Sequence, residues 1–232
     1  AMIWLDLETR STVDVTRSGV YRMAEDPTLR VISIHYAFDD EPVRSWRGLF
    51  AGPGIDMEDV APAQLLKRIE AGDEVCVWNG GFERLIWSAW ARRRNWPALD
   101  LDQVRDIAAL ARAHNLPAAL KNASQWLPSQ LRKLTNGSYH PLWREEHPLE
   151  EKHRALFEEM VIYGDQDVVA MREIAKLMTW FDDRLLTDYQ VGEVINDRGL
   201  GMDLEWCRTA VALRSVVEDE AAATLRELTE EE

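Results

Sequence analysis

The amino-acid sequence predicts an α/β fold with a mixed sheet, followed by a helical C-terminal part. Three short apolar runs, at residues 2–8, 30–38 and 74–78, have the length and composition of strands. A polar turn joins the second run to an extended segment at 42–46, so these two strands should form a hairpin. From residue 150 onward, apolar residues recur at helical spacing. Hairpin strands, then strands mixed with helices, then helices alone are typical of α/β domains.

Helices are predicted between and after these strands. Asp59 can cap a helix that ends near Gly72, and Pro97 lies just beyond a helix predicted over 82–94. A further helix is predicted over 102–114.

The second half of the chain begins with a segment of weak periodicity. Residues 115–148 are rich in Pro, Asn, Ser and His and should be mostly loop, with a short helix or two. A long helix is predicted over 150–181, with Gly164 as a point where it could bend or split. A helix over 184–196 follows, and Asp203 is a suitable N-cap for a last helix.

Composition and charge exclude several classes of protein. The formal net charge of −14 over 232 residues argues against a tight, non-specific nucleic-acid binder, but an enzyme with a local basic surface stays possible. Arg92–Arg94 and the scattered Arg132, Lys133 and Arg144 are candidates for such a surface, although solvated charges at a helix end explain the Arg triplet equally well. The only two cysteines, Cys76 and Cys207, are far apart, which indicates no disulfide framework and fits a reducing compartment. No apolar run approaches the ~18 residues needed to span a membrane.

Two carboxylates, Asp6 and Glu8, lie one residue apart in the first predicted strand. Residues two apart in a strand point to the same face, while Ile3, Leu5 and Leu7 point to the other. Two negative charges side by side in a core element are costly unless something neutralises them. A divalent cation is the usual means, so this pair is a candidate metal site.

Two later motifs also carry acidic residues. Glu83 follows Asn79 at the end of strand 74–78, where ligand sites of open α/β sheets cluster, although the helix dipole alone explains an acid there. Tyr163 and Asp167 are four residues apart and share a helix face. A carboxylate and a phenol presented together suit a metal–water site. A solvated aspartate beside a half-buried tyrosine is the simpler alternative.

The order and spacing of these motifs resemble the exonuclease superfamily named for its four acidic residues, in its tyrosine subclass. The wider sequence is similar to the 3′–5′ exonuclease domain of bacteriophage-type family A DNA polymerases. The segments that carry this resemblance are LDLETRS at 5–11, GVYR at 19–22, AEDP at 24–27, NGGFERLIW at 79–87, AALARAHNLP at 108–117 and YGDQDVVAMREI at 163–174. Residues 125–147 match poorly, and Glu83 stands where the cellular proofreading enzymes have Asp.

The resemblance implies a ribonuclease H-like fold, in which a mixed five-stranded sheet is flanked by helices. It implies an exonuclease domain over 1–183 and, over 184–232, a helical segment that resembles the start of a polymerase region. The implied activity is 3′–5′ hydrolysis of single-stranded DNA ends to nucleoside monophosphates, with no DNA synthesis by this fragment. The implied setting is proofreading beside the polymerase region of the same parent chain, in the cytoplasm of a bacterial host or phage-infected cell.

The same resemblance implies two divalent cations, Mg²⁺ or Mn²⁺, as cofactors. Asp6 would bridge both ions, while Glu8 and Asp167 would hold the ion that carries the attacking water. Glu83 would hold the second ion, and Tyr163 would orient the water. Ligands that are all hard oxygens suit these metals. The implied substrate-binding residues are Thr9, Asn79 and Phe82.

Two alternatives stay open at this point. An enzyme of the same fold could act on RNA or on short oligonucleotides, which matched DNA and RNA substrates distinguish through the 2′-hydroxyl. A catalytically decayed module could bind DNA or brace a polymerase, and Glu83 is the one residue that favours this alternative.

Overall fold

The computed structural model describes residues 1–48, 61–134 and 150–230. The strands in these ranges are β1 (Met2–Arg10), β2 (Arg30–Phe38), β3 (Arg44–Arg47), β4 (Glu74–Val77) and β5 (Val104–Asp106). The helices are α1 (Val15–Glu25), α2 (Ala63–Glu70), α3 (Gly80–Arg94), α4 (Ile107–Ala113), α5 (Leu120–Ala123), α6 (Arg154–Ala175), α7 (Asp183–Arg198) and α8 (Leu204–Glu230). Short 3₁₀ turns lie at Leu101–Gln103, Ser124–Trp126, Ser129–Leu131 and Glu151–His153.

The five strands form one sheet in the order β3-β2-β1-β4-β5. β1 pairs antiparallel with β2, and β2 pairs antiparallel with β3. β1 also pairs parallel with β4, and β4 with β5. This mixed five-stranded sheet, flanked by helices, confirms the predicted ribonuclease H-like α/β fold, with β1 as its central strand.

The two faces of β1 belong to different apolar clusters. Ile3 and Leu5 pack in one cluster with Trp87 of α3, whereas Trp4 packs in the other with Val168 of α6. The alternation of the strand therefore directs its even-numbered side chains, among them Asp6 and Glu8, to the α6 side of the sheet.

The predicted helix over 102–114 is wrong in its first part. Val104–Asp106 forms the edge strand β5, and Val104 is fully buried beside its partner Val75 on β4. Asp106 then caps α4, because its side chain accepts a hydrogen bond from the Ala109 amide at 2.9 Å. A three-residue strand is too short to show the period of two, so the helical pattern that follows it was extended over it.

Gly164 does not split the long helix, contrary to the sequence-based expectation. α6 runs unbroken through Gly164 and ends at Ala175, six residues before the predicted end at Phe181. The glycine instead permits close packing, since a Cβ added there would lie within 3.0 Å of three atoms of the His35 ring on β2. Its role is an approach of helix to sheet and not a bend.

The remaining predicted elements have mixed outcomes. The hairpin of β2 and β3 is confirmed, and Asp203 caps α8 by accepting a hydrogen bond from the Trp206 amide at 2.9 Å. α1 was not predicted, and its helical pattern is interrupted by Gly19 with φ 77°. Asp59, the predicted cap of α2, lies outside the described residues, and α2 begins after Pro62.

The chain divides into two compact units, Ala1–Gln190 and Val191–Glu232. The first unit contains the whole sheet and α1 to α6. The functional division predicted after residue 183 stays a prediction. Within the described ranges, no helix combines the length and the apolar character needed to cross a membrane.

Candidate active site

The site is built on the central strand of the sheet. Asp6 and Glu8 are both half-buried on β1, and the register of β1 with β2 shifts between Glu8 and Thr9. Asp6 lies opposite His35 of β2, and Glu8 lies opposite Ser33. Because directly opposed residues share a face of an antiparallel pair, polar groups of β2 lie beside both carboxylates.

Glu83 reaches the same place from the first turn of α3. Its backbone amide donates to the Asn79 carbonyl at 3.1 Å, which starts the helix directly after β4. Gly80 brings this end of the helix close to β5, since a Cβ there would lie 3.0 Å from the Asp106 Cβ. Glu83 is 5% exposed, and its Oε2 has no hydrogen-bond partner. An orphaned buried carboxylate oxygen is unusual and calls for a ligand or a bound proton.

Tyr163 and Asp167 approach from α6. Asp167 is buried, with Oδ2 paired to Lys133 and Oδ1 without a hydrogen-bond partner. Tyr163 is half-buried, and the Lys133 ammonium lies 4.1 Å from the centroid of its ring. The acidic residues of three separate segments, β1, α3 and α6, therefore lie close enough to one another for their charges to interact.

The carboxyl groups of the site are close enough to raise one another's pKa values. Burial raises the pKa of Glu83 well above its usual range, and the negative charges of Asp6, Glu8, Asp106 and Asp167 raise it further. Burial likewise raises the pKa of Glu8, helped by Asp6 and Asp167. The four predicted acids thus act on one another as a single charged cluster, with Asp106 as a fifth member.

Asp6 and Asp167 respond to the same cluster. Burial raises the pKa of Asp6, against the opposing effect of His35 and Lys133. Burial and the charge of Asp6 raise the pKa of Asp167 to about 7. The cluster therefore disfavours the simultaneous ionisation of all its carboxyls.

Lys133 places a positive charge beside the acidic cluster. Its ammonium pairs with Asp167, and its side chain is 16% exposed. Its backbone amide donates to Ser124 Oγ at 3.2 Å, which ties this segment to the end of α5. The sequence had indicated Lys133 only as a candidate for a local basic surface. Its partner is 34 positions away, and no local pattern could have revealed the contact.

Asp106 was missed for a different reason. It ends β5 and caps α4, and its Oδ2 also accepts a hydrogen bond from the Tyr189 hydroxyl at 3.3 Å. β5 lies beside β4, the strand that precedes α3, so the charge of Asp106 raises the pKa of Glu83. Asp106 was missed because β5 was predicted to be part of a helix.

The predicted substrate-binding residues lie around the carboxylates. Thr9 follows Glu8 on β1 and is half-buried, and Asn79 is exposed at the start of α3. Phe82 is half-buried and packs against the apolar cluster that contains Trp87. No hydrogen bond seen in the described residues joins these three side chains to the acidic cluster, so their predicted role stays a prediction.

The donor set suits a hard divalent cation in its chemistry. The four predicted ligands are all carboxylates, and two of their oxygens, Glu83 Oε2 and Asp167 Oδ1, are buried without a hydrogen-bond partner. Within the described residues, however, no three carboxylate, imidazole or thiol groups are arranged as they stand to hold a metal ion. In this structure the charge of Asp167 is neutralised by Lys133. The carboxylates fit the predicted ions in their chemical type and their burial.

The raised pKa of Asp167 predicts how the stability of the metal-free protein depends on pH. The Asp167 carboxyl titrates near 3.8 in the unfolded chain and at about 7 in the folded protein. The folded state binds more protons between these values, so the free energy of unfolding falls as pH rises from about 4 to about 7. We expect the Tm in EDTA to fall over this range, and to fall less for Asp167→Asn, which cannot titrate. An equal pH dependence of the two proteins would contradict the raised pKa.

Comparison with known proteins adds one relative. No protein-family model matches the chain. A DNA polymerase of Bacillus phage SP02 is 26% identical to it over 226 residues. The similarity covers 90% of this chain and 33% of the polymerase, so the chain spans about a third of the length of this relative. This similarity supports a polymerase-related domain.

Proposed function

We propose that this chain is the 3′–5′ exonuclease domain of a phage-type DNA polymerase. Its substrate would be the 3′ end of single-stranded DNA, and its products nucleoside monophosphates. The observation that carries the proposal is the convergence of Asp6, Glu8, Glu83 and Asp167, from three segments, on one buried cluster beside Tyr163. The similarity to a phage DNA polymerase supports the same conclusion from the sequence.

The four acidic residues would hold two Mg²⁺ or Mn²⁺ ions. Such ions lower the pKa of bound water and stabilise the attacking and leaving oxygens of an in-line phosphoryl displacement. The buried oxygens Glu83 Oε2 and Asp167 Oδ1 support this role, because each lacks a hydrogen-bond partner. Burial also raises the affinity of a carboxylate cluster for cations, since little water is present to screen the charge.

Tyr163 is suited to orient water and not to remove a proton from it. Burial, together with the negative charges of Asp167 and Glu8, raises the pKa of its phenol, and the effect of Lys133 is opposite. The hydroxyl therefore stays protonated at neutral pH, where it can donate one hydrogen bond and accept another. Its place on α6, one turn before Asp167, directs it to the same cluster.

A non-catalytic module is the alternative that one observation favours. Lys133 neutralises Asp167, so the cluster has a counter-charge of its own and could persist without metal. A functional nuclease must accept ions at this cluster in spite of Lys133, whereas a decayed one need not. The two proposals therefore differ in metal binding as well as in cleavage.

The test is cleavage of a single-stranded DNA oligonucleotide labelled at its 5′ end. With Mg²⁺ or Mn²⁺ we expect stepwise shortening from the 3′ end and release of nucleoside monophosphates, and in EDTA no cleavage. A matched RNA strand measures the preference for DNA, and a DNA strand with 3′-terminal phosphorothioate linkages is the control for direction. Unshortened DNA with both metals would support the non-catalytic module, and internal cuts would contradict an exonuclease.

A further inference from the structure

Two polar rows cross the sheet on the face that carries Asp6 and Glu8. The first row consists of the paired residues Asp6, His35 and Ser45, and the second of Glu8, Ser33 and Arg47. α6 packs over these strands. The polar groups beside the candidate ligands therefore lie between the sheet and the helix that carries Tyr163 and Asp167.

His35 joins this row to α6 through its ring. The ring is fully buried, and its Nδ1 lies 2.8 Å from Asp165 Oδ1. The other nitrogen, Nε2, is hydrogen-bonded to Ser33 Oγ at 2.9 Å. Ser45 Oγ also donates to Asp165 Oδ1, at 2.6 Å. Both ring nitrogens are thus satisfied, and one of the partners lies on the helix.

The packing at this point is tight as well as polar. Gly164 lies directly against the His35 ring, and a Cβ there would clash with it. A ring held by hydrogen bonds on both sides and by backbone contact has little freedom to move. The position of α6 above β2 is therefore defined most closely at Gly164 and Asp165.

We propose that His35 and Asp165 form a clamp that sets the position of Tyr163 and Asp167 relative to Asp6 and Glu8. His35 is the strand partner of Asp6, and Asp165 lies two residues from both Tyr163 and Asp167. A shift of about 1 Å between catalytic groups can cost on the order of 100-fold in rate. His35 and Asp165 would therefore be positioning residues for metal binding and hydrolysis, an inference that rests on the function proposed above.

The chain offers a matched control for this clamp. Arg47 of β3 pairs with Glu158 of α6 at 2.7 Å, so it also links the sheet to the same helix. Glu158 lies seven residues before Asp165, two turns away from it, and both side chains of the Arg47–Glu158 pair are more than a third exposed. Glu158→Ala removes a sheet–helix link without touching the turn that carries Tyr163 and Asp167.

The test compares Asp165→Ala, Asp165→Asn and Glu158→Ala in the full chain, after circular dichroism has shown that each is folded. For Asp165→Ala we expect a kcat about 100-fold lower with little change in KM for the oligonucleotide. We also expect Mn²⁺, titrated calorimetrically without DNA, to bind at least about 10-fold more weakly. Asp165→Asn keeps an oxygen that accepts from His35 and Ser45 and should restore most of both losses. Gly164→Ala, which displaces α6 without removing a polar group, should resemble Asp165→Ala if it folds.

The outcomes separate the clamp from the proposed function. Wild-type Mn²⁺ affinity and turnover in Asp165→Ala, or equal losses in Glu158→Ala, would overturn the clamp and make the contact one of stability alone. A wild-type protein that binds Mn²⁺ but does not shorten DNA would overturn the exonuclease, while weaker Mn²⁺ binding by Asp165→Ala would still support the clamp. A wild-type protein that binds no Mn²⁺ would overturn both.

Discussion

Replacing Asp6 with alanine is expected to abolish metal-dependent cleavage of DNA while leaving the metal-free protein at least as stable as the wild type. Asp6 lies on the central strand, and its charge raises the pKa of Glu8, Glu83 and Asp167. Loss of the ligand proposed to bridge both ions should forfeit several kcal/mol of transition-state stabilisation, which corresponds to a rate at least about 10³-fold lower. Removal of its negative charge also relieves repulsion in the apo cluster, which favours the folded state.

The measurements are the initial rate of single-strand shortening with saturating Mg²⁺ and the Tm in EDTA. Asp40→Ala is the control, because it removes an aspartate of 86% side-chain exposure in the turn after β2. Asp167→Ala should lose activity equally but without the gain in Tm, since it leaves the Lys133 ammonium without its carboxylate partner. An Asp6→Ala protein with more than a tenth of the wild-type rate would exclude Asp6 as a metal ligand.

Glu83→Asp should lower the rate on the order of 100-fold, although the charge is retained. The aspartate carboxylate ends about 1 Å or more short of the glutamate position, and misplacement of that size has a cost of this order. At Gly80, α3 already lies close to β5, since a Cβ there would be 3.0 Å from the Asp106 Cβ. The measurement is the rate as a function of Mg²⁺ concentration.

Glu83→Gln separates reach from charge at the same position. The amide keeps the length of the side chain, but it is a weaker ligand, so half-maximal activity should require more metal. Its NH₂ can donate to the neighbouring carboxylates, so the Tm in EDTA should rise. If Glu83→Asp were faster than the wild type and Glu83→Gln unchanged, Glu83 would be a decayed ligand and the non-catalytic module would be the better explanation.

Periodicity predicted the parts of the fold whose residues are close in sequence. The alternation of β1 predicted that Asp6 and Glu8 share a face, and the apolar spacing after residue 150 predicted α6. β5 was read as helix, because three residues carry no period and its burial depends on Val75 of the neighbouring strand. The helical spacing of α1 is broken at Gly19, so its signal was too weak.

The contacts that surround the candidate site could not be predicted in the same way. His35 and Asp165 are 130 positions apart, and a lone histidine in an apolar strand gives no sign of its partner. Gly164 was read as a helix-breaking residue, whereas its function depends on the ring that faces it. Local propensity predicts how a glycine affects its own backbone, but only the tertiary structure shows which neighbour packs into the space that its missing side chain leaves.

The central position of β1 in the sheet determines when the candidate site is disrupted during unfolding. β1 is hydrogen-bonded on both edges, to β2 and to β4, and both of its faces are covered by helices. Partial openings of a protein begin at edges, termini and loops, and a central strand is released only when the whole domain unfolds. Asp6 and Glu8 therefore lie on the part of the domain that opens last. Fraying of the edge strands β3 and β5 leaves Asp6 and Glu8 in place. These two residues are displaced only in the global unfolding transition.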